Sequence, residues 1–182
     1  LFDDTDERFD ASVRTKFYDK NGNLLTSAAD PEYIAPHCKK YEDYDRVMDA
    51  GASSKNIYFI RYADLILLYA ECLLAENDLA GAKQQVIRVR ERAKASAPVT
   101  VSNNTEMLDF IYEERMRELG MEGWRRMDLI RRGADYFAAQ VDMYNPFAKG
   151  NVQPYHAFYP IPTNEINMND GIGPEDQNEG YK

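Results

Sequence analysis

The densest run of chemically capable side chains is ERMRELGMEGWRRMDLIRR, residues 114–132, and ten of the thirteen arginines fall between Arg61 and Arg132. Two kinds of chemistry use such a mixture. Paired carboxylates at a cleft can serve as general acid and base. Alternatively, acids and guanidinium groups neutralise one another inside a packed scaffold. Spacing favours the second. Glu113 with Arg117 and Glu118 with Arg115 read as neighbours on one helix. Upstream, Arg61, Asp64 and Glu71 fall at about 0°, 300° and 280° when stepped at roughly 100° per residue, so they share one stripe. The expectation is a structural ion network made of Arg61, Asp64, Glu71, Glu114, Glu118, Arg125 and Asp128. A hydrolase built on Glu114 or Glu118 is the less favoured reading.

Other motifs are weaker. A carboxylate-bridged metal pair in a bundle requires Glu-x-x-His on two helices, and neither His37 nor His156 has a Glu three residues before it. Cys38, Cys72 and the histidines lack zinc spacing apart from adjacent His37 and Cys38. Cys72 falls in an apolar helical pattern, where a thiol packs as a small hydrophobe. Gly171-Ile-Gly173 is too short for a phosphate loop. Asp19, Asn21 and Asn23 alternate like calcium-loop ligands, with Asp30 twelve positions along, but Leu24 occupies the turn position that requires Gly. A hairpin turn at Asn21-Gly22 is the better reading. No metal or cofactor is expected. Tyrosine is abundant at thirteen residues, and rings with a polar tip suit sugar or protein surfaces. Tyr33, Tyr41 and Tyr44 are the candidate ligand contacts.

The elements that must hold these groups are helical. From Ile57 the segment IYFIRYADLILLYAECLLAEND is apolar nearly all round, which predicts a helix buried on most sides. Ala82, Val86, Val89 and Ala93 mark a second, amphipathic helix, capped by Asn77 or Asp78. Asn103 with Glu106 opens a third, with Leu108, Ile111, Tyr112 and Leu119 inward. A fourth runs around Trp124 to Arg132 and stops at Gly133. Seven of eight prolines lie outside residues 57–133, and that middle is charge-neutral with 12 acids and 12 bases. The division is therefore a loop-rich flank 1–56, a helical core 57–133 and a loop-rich tail 134–182, in an all-α fold with a short β-hairpin.

With 182 residues, 44% of them hydrophobic, and a net charge of −9, the chain fits one globular domain. Acidity speaks against nucleic acid, whose nonspecific binding draws on Lys and Arg. Leu65–Ala70, the longest apolar stretch, is far short of a membrane span. The chain begins at Leu1 without a signal segment, so a trimmed piece is expected.

Several blocks then read together: Arg61-Tyr62-Ala63-Asp64 with Leu68-Tyr69-Ala70-Glu71, Glu113–Arg117 with Glu122-Gly123-Trp124-Arg125 and Asp128-Leu129, Tyr159-Pro160-Ile161-Pro162 with Glu165-Ile166, and Gln177-Asn178-Glu179-Gly180-Tyr181. In this order they resemble the C-terminal part of the SusD/RagB family of surface-exposed outer-membrane lipoproteins. Before residue 57 only Asp6-Glu7-Arg8 and Lys40-Tyr41 are similar. Glu179 stands where the family usually has proline, and the length covers about the last third of a member. The resemblance implies tetratricopeptide-like helical hairpins, although the third helix starts too far along for a strict 34-residue repeat. It also implies non-enzymatic capture of glycans and their delivery to a SusC-like TonB-dependent transporter. Any membrane attachment would be through a lipid anchor absent from these residues. These blocks are scaffold motifs and nominate no binding residue. The alternative is a tetratricopeptide-like module that binds protein alone.

Overall fold

The computed structural model describes residues 1–19, 21–25, 36–43, 53 and 55–182. It is mostly helical, with seven α-helices among the described residues: α1 Arg8–Ser12, α2 Tyr62–Ala75, α3 Leu79–Arg92, α4 Asn104–Leu119, α5 Arg125–Arg131, α6 Ala134–Tyr144 and α7 Thr163–Met168. Contacts separate a first unit, Leu1–Gly123, from a second, Trp124–Lys182.

In the first unit α2 folds back onto α3. Asn77, in left-handed conformation at φ 62°, ends the turn, and the Asp78 side chain accepts from Gly81 N at 2.8 Å to cap α3. Asp78, of the two candidates, thus takes the capping role. Helix α4 opens as its sequence implies. Asn103 Oδ1 accepts from Glu106 N at 2.9 Å, and the Glu106 carboxylate accepts from Ser102 N at 2.7 Å. The three helices enclose one apolar core. Leu67, Ala70 and Leu74 come from α2, Ala82, Val86 and Val89 from α3, and Met107 and Ile111 from α4.

Three expectations change. The first helix begins at Tyr62 instead of Ile57, and Ile57–Ile60 lie exposed before it. Their β-branched and aromatic side chains give little helical preference. Helix α2 is not buried on most sides either: Tyr62, Leu65 and Tyr69 are each more than half exposed, and so is its thiol-bearing neighbour Cys72 open to solvent. The core clusters on one face of α2, and on the exposed stripe Tyr62 meets the Arg88 side chain of α3. Finally, the tail is less loop-rich than its prolines imply, since it begins with the eleven-residue α6.

Short antiparallel pairs decorate the N-terminal flank: β1 Val13–Arg14 with β4 His37–Cys38, and β2 Phe17–Tyr18 with β3 Leu24–Leu25. The turn joining β2 and β3 has Gly22 at φ 83°. Asp19 accepts there from Asn21 N and Asn23 N, each at 2.8 Å. Its carboxylate is thus occupied by its own turn, and the bonds from Asn23 and neighbouring amides hold its pKa below the ordinary value. Asp30, the twelfth position of the calcium-like spacing, lies outside the described residues.

In the second unit α5 packs on α6 around Leu129, Phe137 and Ala157. Gly133 at φ 109° joins them: its N–H donates to Ile130 O at 2.8 Å and its carbonyl accepts from Phe137 N at 3.0 Å. The Arg126 guanidinium lies over the Phe137 and Tyr159 rings and donates to the carbonyls of His156 and Ala157.

Candidate functional site

Helix α4 carries an unusual interior. Besides Met107, Ile111, Tyr112 and Leu119, it buries Glu114, Arg115, Arg117 and Glu118. Buried charges persist only when matched, and each of these is. Glu114, with no exposed surface, accepts from Arg8 at 2.6 Å, from Arg90 at 3.1 Å and from Arg117 at 3.0 Å. Arg115 donates to Asp64 at 2.6 Å, joining α4 to α2. Glu113 and Arg117 approach to 3.6 Å, the one-turn neighbours expected.

Glu118 is where the network turns outward. Its two oxygens accept from Arg61, Arg92 and Arg8. Burial works to raise its pKa, but hydrogen bonding to Arg61 and the charges of Arg92, Arg61 and Arg8 outweigh it and hold the carboxyl below its ordinary value. Burial likewise opposes charge on Arg61, and the bonds to Glu122 and Glu118 overcome it, so its pKa is raised. Arg61 donates to Glu122 through Nε and Nη2 at 2.8 Å, and Lys40 Nζ donates to Glu122 at 2.7 Å. Long-range partners thus take the place of the local Glu118 and Arg115 reading.

Over these groups lies a cleft of about 360 Å³, walled by Tyr41 and Tyr58. Burial raises the Tyr41 pKa, with Glu122 adding to the effect and Arg61 opposing it. Neither phenol has a protein hydrogen-bond partner among the described residues. Arg92 reaches in from the end of α3 and donates to Glu118 through Nη2 alone, its side chain 58% exposed. Of the tyrosine candidates, only Tyr41 can be placed, since Tyr33 and Tyr44 lie outside the described residues.

The remaining predicted network members are distributed differently. Glu71 is half-buried on α2. Arg125 and Asp128 belong to the second unit, where Arg125 meets Gln140 at 3.4 Å and buried Asp128 accepts from Arg131 at 3.1 Å. Sequence reasoning missed Asp6, Arg8, Arg90, Arg92 and Glu122 as network members, and Tyr58 as a cleft wall. Asp6-Glu7-Arg8 and Glu122 carried a signal only as parts of the family-like pattern.

The second unit contains a larger cavity, about 690 Å³, beside Tyr155, Phe158 and Gly180. Its walls are largely structural. Tyr155 stacks against His156 and Tyr181, and Asn178 donates to Tyr159 O at 2.7 Å. Gln177 both donates to and accepts from the backbone of Ile161, at 2.9 and 2.7 Å. The two C-terminal sequence blocks therefore lock onto each other.

A sequence profile described as the SusD family matches residues 1–181, including the flank before residue 57. The chain belongs to the SusD family. Its relatives include SusD-like protein P25 of Formosa agariphila, 37% identical over 134 residues, covering 71% of this chain and 25% of that protein. Starch-binding protein SusD of Bacteroides thetaiotaomicron is 32% identical over 142 residues, covering 75% and 23%. Among solved structures, a SusD superfamily protein of Bacteroides fragilis aligns with TM-score 0.67 at 22% identity, over all of this chain and 39% of that one. The fold is thus the tetratricopeptide-like SusD fold, and the chain spans about a quarter of the length of these curated relatives.

Proposed function

We propose that this SusD-family chain is part of a non-enzymatic glycan-capture protein on the outer surface of the outer membrane, handing its ligand to a SusC-like TonB-dependent transporter. The observation carrying the proposal is family membership together with similarity to a starch-binding relative. The chemistry of α4 supports a binding role over hydrolysis. A general acid needs a carboxyl whose pKa is raised toward neutrality, whereas Glu118 is held below its ordinary value by three arginines. No described helix is long and apolar enough to cross a membrane, which fits attachment by a lipid anchor.

The open stripe Tyr62, Leu65 and Tyr69 on α2 favours a second reading, a module that binds protein alone. Calorimetric titration of the full-length protein with a glycan panel, alongside co-purification with the transporter, separates the two. Saturable glycan binding without product release supports capture. Transporter binding with no glycan affinity supports the second reading, and release of shortened sugars would overturn both.

A further inference from the structure

The cleft beneath Tyr41 and Tyr58 has a polarity opposite to that of the protein as a whole. The chain carries a net charge of −9, yet Arg8, Lys40, Arg61 and Arg92 line this cleft against only Glu118 and Glu122. The arrangement in depth strengthens the contrast. The Glu118 and Glu122 side chains are 1% and 4% exposed, while Arg92 is 58% exposed. The two acids therefore form the floor together with Arg8, whose side chain is 6% exposed, and Arg92 is the cation that faces the solvent.

Hydrogen-bond capacity points the same way. Both Glu118 oxygens and Glu122 Oε1 already accept two donors each. Arg92 keeps its Nε and Nη1 hydrogens uncommitted, because both of its bonds to Glu118 leave from Nη2. Lys40 Nζ makes two bonds and has a third hydrogen available. A neutral pyranose offers hydroxyls that donate as readily as they accept; the Tyr41 and Tyr58 phenols can receive them, but three of the four carboxylate oxygens are already doubly engaged. An anionic group needs donors only. The Nε and Nη1 hydrogens of Arg92 lie on different edges of the guanidinium plane, so each can give one charge-assisted bond to a carboxylate or sulfate oxygen.

We propose that this cleft binds an anionic sugar unit, a uronate or a sulfated residue, with Arg92 holding the acidic group and the Tyr41 and Tyr58 rings framing the pyranose. The volume of about 360 Å³ falls at the lower end of small-ligand sites. One monosaccharide unit of a longer chain fits it better than a free oligomer. The inference rests on the glycan-capture reading and names the substrate class at one site.

The test titrates the full-length protein with trigalacturonic acid, a sulfated galactan oligosaccharide and maltotriose. The variants are Arg92→Gln, Arg92→Lys and Tyr58→Phe, each checked for unchanged circular dichroism. At least one acidic probe should bind the parent protein, and Arg92→Gln should weaken it about tenfold or more, the range of one charge-assisted contact. Arg92→Lys should recover part of that loss, Tyr58→Phe should weaken the same probe less, and maltotriose should not respond to Arg92. The two acidic probes show whether carboxylate or sulfate is preferred. Acidic-probe binding untouched by both Arg92→Gln and Tyr58→Phe overturns the site. Binding of maltotriose with no acidic binding overturns the anionic specificity and leaves glycan capture standing. If none of the three binds, the anionic site falls, while the capture reading falls only if the wider glycan panel also fails to bind.

Discussion

The two units of the chain solve the burial of arginine in opposite ways. In the first, Arg8, Arg90 and Arg115 meet carboxylates from other elements, with partners up to 110 residues away, and Arg117 meets Glu114 on its own helix. In the second, Arg126 sits over aromatic rings and donates to two backbone carbonyls, so it needs no acid. Charge pairs tie stability to protonation, while rings and carbonyls do not titrate. The first unit should therefore respond to pH and to loss of single carboxylates, and the second to loss of shape.

The sharpest way to break the contrast is Glu114→Ala. Three guanidinium groups lose their shared acceptor, and stranding buried charge costs about 3–5 kcal/mol. Urea unfolding followed by hydrogen exchange should show the loss in residues 1–123. An unchanged midpoint would mean that Glu114 does not anchor the unit. In the second unit the matching change is Gly180→Ala. Gly180 sits at φ 87°, and an added Cβ would lie 2.2 Å from the Tyr155 ring. Strain of this kind costs about 1–3 kcal/mol, so proteolysis should cut the C-terminal tail more readily while exchange in α4 stays unaltered.

Acid titration separates the units next. Opposed by burial in each case, hydrogen bonds and nearby cations nonetheless lower the pKa of Asp6 and Glu118, and Thr5, Ala97 and Arg90 lower Asp3 to about 2. For groups depressed in the folded state, the unfolded chain binds protons first, so their stabilisation is complete above the ordinary carboxylate range and fades as pH falls through the folded values. The window opens near pH 4.5, the ordinary Glu value, and extends toward about 2. Exchange protection in the first unit should drop across it before protection of α5 and α6. The smallest effect belongs to Asp78→Ala, which removes one cap from α3 and costs about 1 kcal/mol. A thermal melt should shift by a few degrees.

Local signals survived the passage from sequence to structure, and distant ones did not. Asn103 with Glu106 located the start of α4 because a cap is formed by residues three apart. Gly133 marked a helix end for the same reason. The charged stripe singled out Arg61 and Asp64, yet no pattern named Glu122 as a partner of the first or Arg115 of the second. Asp6 and Arg8 carried no charge-pairing signal of their own, since an acidic stretch before the helices looks like solvated flank. Apolar periodicity misread α2 because it reports that a face is greasy, not that this chain covers it. Tyr41 was singled out as an amphipathic ring, but its companion Tyr58 lies seventeen positions away and joins it only in space.

The Arg8 clasp also bears on the order in which the chain can mature. Glu114 is synthesised more than a hundred residues after Arg8, and closing so wide a circuit is entropically expensive. The hairpin of α2 and α3 can collapse early on its own neighbours, whereas α4 must hold a hydrated acid until the opening segment returns to it. Closure of the first unit thus falls to the segment around Arg8, which acts as a latch on helices already folded.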